Sequence, residues 1–293
     1  SANVEISTNC NAACPMCTRN YNGYGVRDNF PLRDMPLSEF KHLLDPVLPH
    51  PKFMLSLCGT YGDPAANKNC TEILEYVHTV YPHVQIIMSS NASMKTPAWW
   101  AKLAKFTNLK IEFALDGLAD THSIYRQNTN WHKIIENATA YIDAGGYAIW
   151  QFIKFDHNKH QMEQCKQMSK DIGFAEFKHF DDNRANGLAF TPDGDPFVLG
   201  TPSEEITSAM QFVEQEKYLQ QQYELNLQEE YKRNLSVDSI ECYSQEGNIY
   251  VAVNGDVWPC CWLGGTFPMT SDSDNGWQLK NLPLVINGLE NSL

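Results

Sequence analysis

The stretch "STNCNAACPMCTRN", residues 7–20, places Cys10, Cys14 and Cys17 in a loop of small and polar residues directly after a short β-rich run, "VEIST" (4–8). Structural zinc normally takes four protein ligands, commonly as two pairs. A trio at spacings of four and three, with no histidine nearby, leaves one coordination position unfilled. An iron–sulfur cubane held by three thiolates has that property, because one iron is left for another ligand. The spacing alone also leaves structural or zinc-binding cysteines open.

Working outward, the run before the loop is the first of six strand candidates: 4–8, "FMLSLCG" (53–59), "VQIIMSS" (84–90), "LKIEFALD" (109–116), "YAIWQFIKFD" (147–156) and "EFKHF" (176–180). Several are nearly continuously apolar, as strands covered on both faces are. Amphipathic helix patterns separate them. In "LSEFKHLLDPVL" Ser38 stands at the N-cap position, and Phe40, Leu43, Leu44 and Val47 share a face. "NWHKIIENATAYIDAGG" stacks Trp131, Ile134, Ile135, Ala138, Tyr141 and Ile142, then stops at Gly145-Gly146. "HQMEQCKQMSKDIGF" repeats the pattern with Met162, Cys165, Met168 and Ile172 and stops at Gly173. Strands alternating with helices give an α/β fold with a parallel sheet and right-handed crossovers. Six units are too few for a closed eight-strand barrel and fit an open doubly wound sheet or a partial barrel. In both, chemistry gathers at the carboxyl ends of the strands.

Composition narrows the class. The chain has 293 residues, 43% of them hydrophobic, which suits one large domain or one with a small appendage. A net charge of −13 disfavours a broad phosphate-binding footprint, so no nucleic-acid partner is expected. The first residues, "SANVEIST", show no basic or apolar leader pattern. No run of about 18 apolar residues predicts a membrane span. The nine cysteines, odd in number and unevenly clustered, fit metal ligation and buried thiols better than a disulfide framework, and point to a cytoplasmic protein.

Cys10-x3-Cys14-x2-Cys17 after the first strand of a βα series resembles the signature of the radical S-adenosylmethionine (radical SAM) superfamily. The resemblance implies a partial (β/α)6 TIM-like barrel over residues 1–184. It also implies a [4Fe–4S] cluster on Cys10, Cys14 and Cys17, whose open iron chelates S-adenosylmethionine. Reductive cleavage of that cofactor to a 5′-deoxyadenosyl radical would follow, with electrons from a flavodoxin or ferredoxin. "CGTYGDP" (58–64) stands where the family has its glycine-rich segment: Gly62 matches, and Asp63 replaces the common Glu as partner of the cofactor's ammonium. In "MSSNAS" (88–93), Ser89, Ser90 and Asn91 occupy the place of polar residues near the ribose and carboxylate, although such a trio also suits a simple turn. "LDGLADTHSIYRQN" (115–128) resembles the fourth-strand end, with Asp116 near the ribose and Arg126 for the methionyl carboxylate.

Residues 185–240 read as a Gly/Pro/Asp-rich connector, with a turn at "DGD" (193–195), followed by a polar Gln/Glu-rich helix. From 241 onward, "ECYSQEGNIYVAVNGDVWPCCWLGG" reads as a β-hairpin with Cys242 before it and Cys260 and Cys261 after it. Cys242, Gly255 and Cys260 are spaced like the opening of the SPASM extension, which holds auxiliary clusters in radical SAM enzymes acting on peptides. No later cysteine block follows, so residues 241–293 are expected to form a truncated SPASM-like domain with at most one auxiliary iron–sulfur cluster. Zinc on the same three thiols is the competing reading.

Among the remaining groups, Cys165 sits at core-packing helical spacing and Cys70 near a helix start, both structural. Cys58 stands at the site mouth and is a candidate hydrogen-atom donor. His157 and His160 follow the fifth strand, with a polar loop or a general base as their alternatives. The expected reaction is hydrogen abstraction from a peptide or protein side chain. The alternatives are a small-molecule substrate such as a sugar or nucleoside, or a non-catalytic metal-binding module.

Overall fold

The computed structural model describes residues 1–28, 30–181, 187–199, 249–251, 256–258 and 286–287. Strands β1 (Ala2–Val4), β2 (Met54–Leu57), β3 (Gln85–Ser90), β4 (Leu109–Ala114), β5 (Tyr147–Lys154) and β6 (Glu176–Asp181) pair in parallel in strict chain order. That order decides between the two architectures. A doubly wound sheet reverses direction at a switch point; here each crossover moves one strand onward in the same sense. The helices therefore collect on one face, and the sheet has the topology of a partial barrel with β1 and β6 at the two ends of the series.

The helices are α1 (Leu37–Leu44), α2 (Cys70–Val80), α3 (Pro97–Leu103), the single turn α4 (His122–Tyr125), α5 (Trp131–Asp143) and α6 (Met162–Ile172). Ser38 is not the cap of α1. Pro36 holds that position with φ −73° and ψ 156°, and Ser38 lies inside the first turn. The helix stops at Leu44 because Pro46 has no N–H to continue the ladder. α5 is capped by the Asn130 side chain, which accepts from the Lys133 amide at 3.0 Å. α6 ends as expected at Gly173, in the left-handed region at φ 101°.

The strands alternate rather than running apolar on both faces. β3 buries Ile86, Met88 and Ser90 and leaves Ile87 and Ser89 partly accessible; β2 and β4 follow the same rule. The helix-facing side carries the aromatic core. Phe113 packs on Trp100 of α3 at 5.5 Å, on Tyr141 of α5 at 6.0 Å and on Phe174 at 5.8 Å between ring centroids. On the other side Ser89 Oγ donates to Glu112 at 2.7 Å, and Lys178 Nζ pairs with the second Glu112 oxygen at 3.1 Å. The concave face is thus polar.

β1 is shorter than its sequence pattern. Residues 6–8 turn their hydrogen bonds to residues 33–35: Met35 N–H donates to Ile6 O at 2.8 Å, and Thr8 N–H to Arg33 O at 2.9 Å. The expected C-terminal hairpin is present as β9 (Ile249–Val251) and β10 (Asp256–Trp258), with β11 (Ile286–Asn287) beyond β10. β9 adds to the sheet in parallel with β1. Cys242, Cys260, Cys261 and the polar helix expected before them lie outside the described residues.

The segment read as a connector contains structure. β7 (Gly187–Phe190) and β8 (Pro196–Leu199) form an antiparallel hairpin turning at "PDGD". Its Ala189 and Leu199 pack with Ala12, Cys14, Tyr125 and Phe155 in a second hydrophobic cluster over the cysteine loop.

Candidate active site

At the carboxyl ends of the strands lies a cavity of about 520 Å³. Cys10, Cys14 and Cys17 line it together with Cys58, Gly62, Asp63, Ser89, Asn91 and Arg126. Of the expected site residues within the described segments, Asp116, His157 and His160 do not line it.

The cysteine loop is built for thiolates. Cys10 Sγ receives the Ala12 backbone N–H and the Asn91 side-chain amide, each at 3.4 Å. Arg126 Nη1 stands 3.9 Å from Cys14 Sγ. Burial, reinforced by the Asp63 carboxylate, pushes the Cys10 thiol up to about 12, and burial with the neighbouring Cys14 pushes Cys17 up to about 11. Uncompensated thiolates are therefore disfavoured there, and metal binding supplies the missing positive charge while releasing protons. None of the three is in a disulfide. Among the described residues no three side chains converge as a single metal ion would require. The three thiols instead line one cavity, and three thiolates sharing a cavity are the donor set that a cluster with one open iron would take.

Gly62 is fixed by packing. A Cβ there would stand 2.0 Å from Ser7 O and 2.7 Å from Thr8 Cα, so the 58–64 loop lies flat against the backbone leaving β1. Glu5, fully buried, holds the same loop by accepting the Tyr61 and Gly62 amides at 2.6 and 3.0 Å. Asp63 ties the loop to the end of β3: its carboxylate accepts from Ala65 N–H at 2.9 Å, Ser90 Oγ at 2.8 Å and Asn91 N–H at 2.8 Å. Burial raises its pKa, and these three donors pull the other way. Most of its acceptor capacity is spent on the protein.

Asp116 has the same character. One oxygen pairs with Arg126 Nε at 2.6 Å and the other accepts the Ile153 amide at 2.6 Å. It is fully buried, behind Arg126 rather than in the cavity. Burial alone would lower the Arg126 pKa, but Asp116 and Cys14 outweigh it and the net direction is up, so the guanidinium stays charged. With Nε engaged, Nη1 reaches toward Cys14, and Arg126 lines the cavity.

His157 stacks on Phe155 at 5.1 Å and 11°, with Nε2 buried and no hydrogen-bond partner. Its pKa is lowered, chiefly by burial. Tyr21 receives an aromatic-face contact from Arg27 at 5.6 Å, and Tyr24 is 54% exposed.

The family model for the radical SAM superfamily matches residues 4–155, just over half of the chain. The chain belongs to the radical SAM superfamily. As a radical SAM protein it has the Cys10-x3-Cys14-x2-Cys17 spacing on the loop after β1, and members of the superfamily are iron–sulfur enzymes. Among solved structures, Streptococcus suis SuiB bound to S-adenosylmethionine superposes with a TM-score of 0.65 at 13% identity, covering 100% of this chain and 64% of SuiB. SuiB bound to its precursor peptide SuiA gives 0.62 at 13% identity, over 90% of this chain and 60% of that one. Hexahistidine-tagged anSMEcpe with bound AdoMet gives 0.58 at 15% identity, over 89% and 71%. At these identities the likeness is one of fold. The radical SAM chain thus spans less than two thirds of the length of SuiB. No curated protein shows significant sequence similarity to it. Among the described residues no helix is long and apolar enough to cross a membrane.

Sequence reasoning missed two residues of the site. Glu5 was hidden inside a strand pattern. Arg19, 5% exposed, sits inside the cysteine loop and donates to its carbonyls. Neither belongs to a spacing motif, because each acts on backbone groups brought near only by the fold.

Proposed function

We propose that this chain is a radical SAM enzyme that abstracts hydrogen from a peptide or protein side chain. The observation that carries the reading is the gathering of Cys10, Cys14, Cys17, Asn91 and Arg126 on one cavity at the strand ends. When bound, the [4Fe–4S] cluster with S-adenosylmethionine supplies an electron and a 5′-deoxyadenosyl radical, chemistry that no side chain offers.

The protein's part is binding, orientation and exclusion of water. Cys10, Cys14 and Cys17 hold the cluster, and Asn91 steadies Cys10 through its amide. Arg126, aimed by Asp116, offers its terminal nitrogens to the cofactor's carboxylate, the bidentate geometry for which guanidinium is suited. Asp63 sets the loop whose Gly62 lets it lie against the backbone after β1, and its remaining acceptor site is available to the ammonium. The apolar contacts of Ala12, Tyr125, Ala189 and Leu199 keep one side of the cysteine loop dry. Ser89, Glu112 and Lys178 form the polar floor on which a substrate side chain would rest. Cys58 lines the cavity and is the candidate hydrogen-atom donor to a product radical. His157 is set back from the cavity and would act only by way of Phe155.

The peptide substrate is supported by fold likeness to SuiB, a structure of which holds the precursor peptide SuiA. An auxiliary iron–sulfur cluster on Cys242, Cys260 and Cys261 and reduction by a flavodoxin or ferredoxin complete the proposal. Anaerobic reconstitution followed by reduction with S-adenosylmethionine tests it. The reading expects 5′-deoxyadenosine, with deuterium moved from a labelled candidate peptide into that product. Zinc content with no 5′-deoxyadenosine overturns the enzyme. Transfer from a sugar or nucleoside but not from peptides overturns the substrate class.

A further inference from the structure

Arg19 lies two residues after Cys17, with its guanidinium turned inward under the cysteine loop. Nε donates to Thr8 O at 3.2 Å and Nη2 to Cys10 O at 3.1 Å. Nη1 donates to Ala12 O at 3.4 Å and to Asn20 Oδ1 at 3.2 Å. Asn20 Nδ2 then reaches Cys14 O at 3.3 Å. One cation and its neighbouring amide thus collect the carbonyls of residues 8, 10, 12 and 14.

With the carbonyls gathered on Arg19, two backbone amides of the same segment meet sulfur. The Ala12 N–H meets Cys10 Sγ at 3.4 Å, and the Arg19 N–H is hydrogen-bonded to Cys17. Hydrogen bonds to ligating sulfur and nearby charge are among the protein's main controls on cluster potential. Reduction adds a negative charge beside a buried cation whose field is little screened by water.

We infer that Arg19 is the positioning residue of the cysteine loop: its fork shapes the loop before metal arrives, and its charge holds the reduced state of the cluster. The inference rests on the functional reading above for the cluster but not for the loop. Lysine keeps the charge and loses the fork; glutamine keeps part of the hydrogen bonding and loses the charge.

The test compares wild type, Arg19→Lys and Arg19→Gln at matched iron content, with the midpoint potential followed by electron paramagnetic resonance. Arg19→Gln is expected to lower the reduced-to-oxidised ratio at a fixed ambient potential about tenfold, roughly 59 mV for one electron. Arg19→Lys is expected to recover most of that ratio. An unchanged potential in Arg19→Gln, or a Lys variant displaced as far as the Gln variant, overturns the charge role. The loop role is read without metal. Backbone amides of residues 8–20 in the apo-protein are expected to exchange hydrogen at least about tenfold faster in both variants. Unchanged exchange overturns that role. Failure of the wild type itself to take up iron would sink the functional reading while leaving the exchange comparison decisive for Arg19.

Discussion

Arg126 can offer its terminal nitrogens to a ligand because Asp116 takes the inner one and Ile153 N–H holds the far carboxylate oxygen. Removing one partner of a buried ion pair strands the other charge. Asp116→Asn is therefore expected to cost about 3 kcal/mol in a denaturant melt and to weaken S-adenosylmethionine binding, with Arg126→Lys weakening binding while costing less stability. Close by, His122 Nδ1 accepts the Asp116 amide at 3.2 Å, and burial, partly offset by Asp116, lowers its pKa from 6.5 to about 4. The native state thus holds the imidazole neutral where the unfolded chain would protonate it. Its stabilising contribution is complete above pH 6.5 and falls away from there down to about 4, on the order of 3 kcal/mol in all. Thermal melts across that window should steepen for wild type and flatten for His122→Gln; parallel curves would refute the assignment. At this scale the sequence showed the residues with a spacing (Cys10, Cys14, Cys17, and the polar ends of the strands). Asp116 was visible as a polar group but not as a support, because its partners come from a loop ten residues on and from β5.

Two elements decide how well the cysteine loop is held. The 58–64 loop lies so close to Ser7 and Thr8 that Gly62→Ala must move backbone, since the added Cβ would be 2.0 Å from Ser7 O. That variant is expected to lose about 2 kcal/mol or more, the cost of overpacking, and to retain less iron after reconstitution. The β7–β8 hairpin grips the other side. Phe190 N–H donates to Asn22 O at 2.8 Å and Gln127 Nε2 to Phe190 O at 3.0 Å, and Gly23, at φ 105°, would place a Cβ 2.3 Å from that same oxygen. Gly23→Ala should lift the hairpin and shorten the lifetime of cluster absorbance in air; an unchanged lifetime would show that the hairpin gives no protection. The hairpin was legible in principle. "GLAF" and "PFVL" flank an Asp-Gly turn, a recognised hairpin signal, but the density of Gly, Pro and Asp masked two strands of only four residues each.

Among the described residues, the strands β1 to β6 run parallel in chain order without reversing, and helices pack on them through aromatic contacts around Phe113. Phe113→Ala is expected to destabilise the fold by about 3–5 kcal/mol without altering the motif loop. Hydrophobic periodicity gave the six core strands and the amphipathic helices between them; strand order, a non-local property, came only with the fold. The account as a whole stands on the cysteine loop holding a cluster with one iron open to S-adenosylmethionine. The most direct measurement is the electron paramagnetic resonance of the anaerobically reduced protein, recorded with and without S-adenosylmethionine, in a Cys242→Ala/Cys260→Ala/Cys261→Ala background. The account predicts a cluster signal in that background that changes when S-adenosylmethionine is added and vanishes on further substitution of Cys14→Ala. A signal that survives Cys14→Ala, or that S-adenosylmethionine leaves untouched, would contradict it.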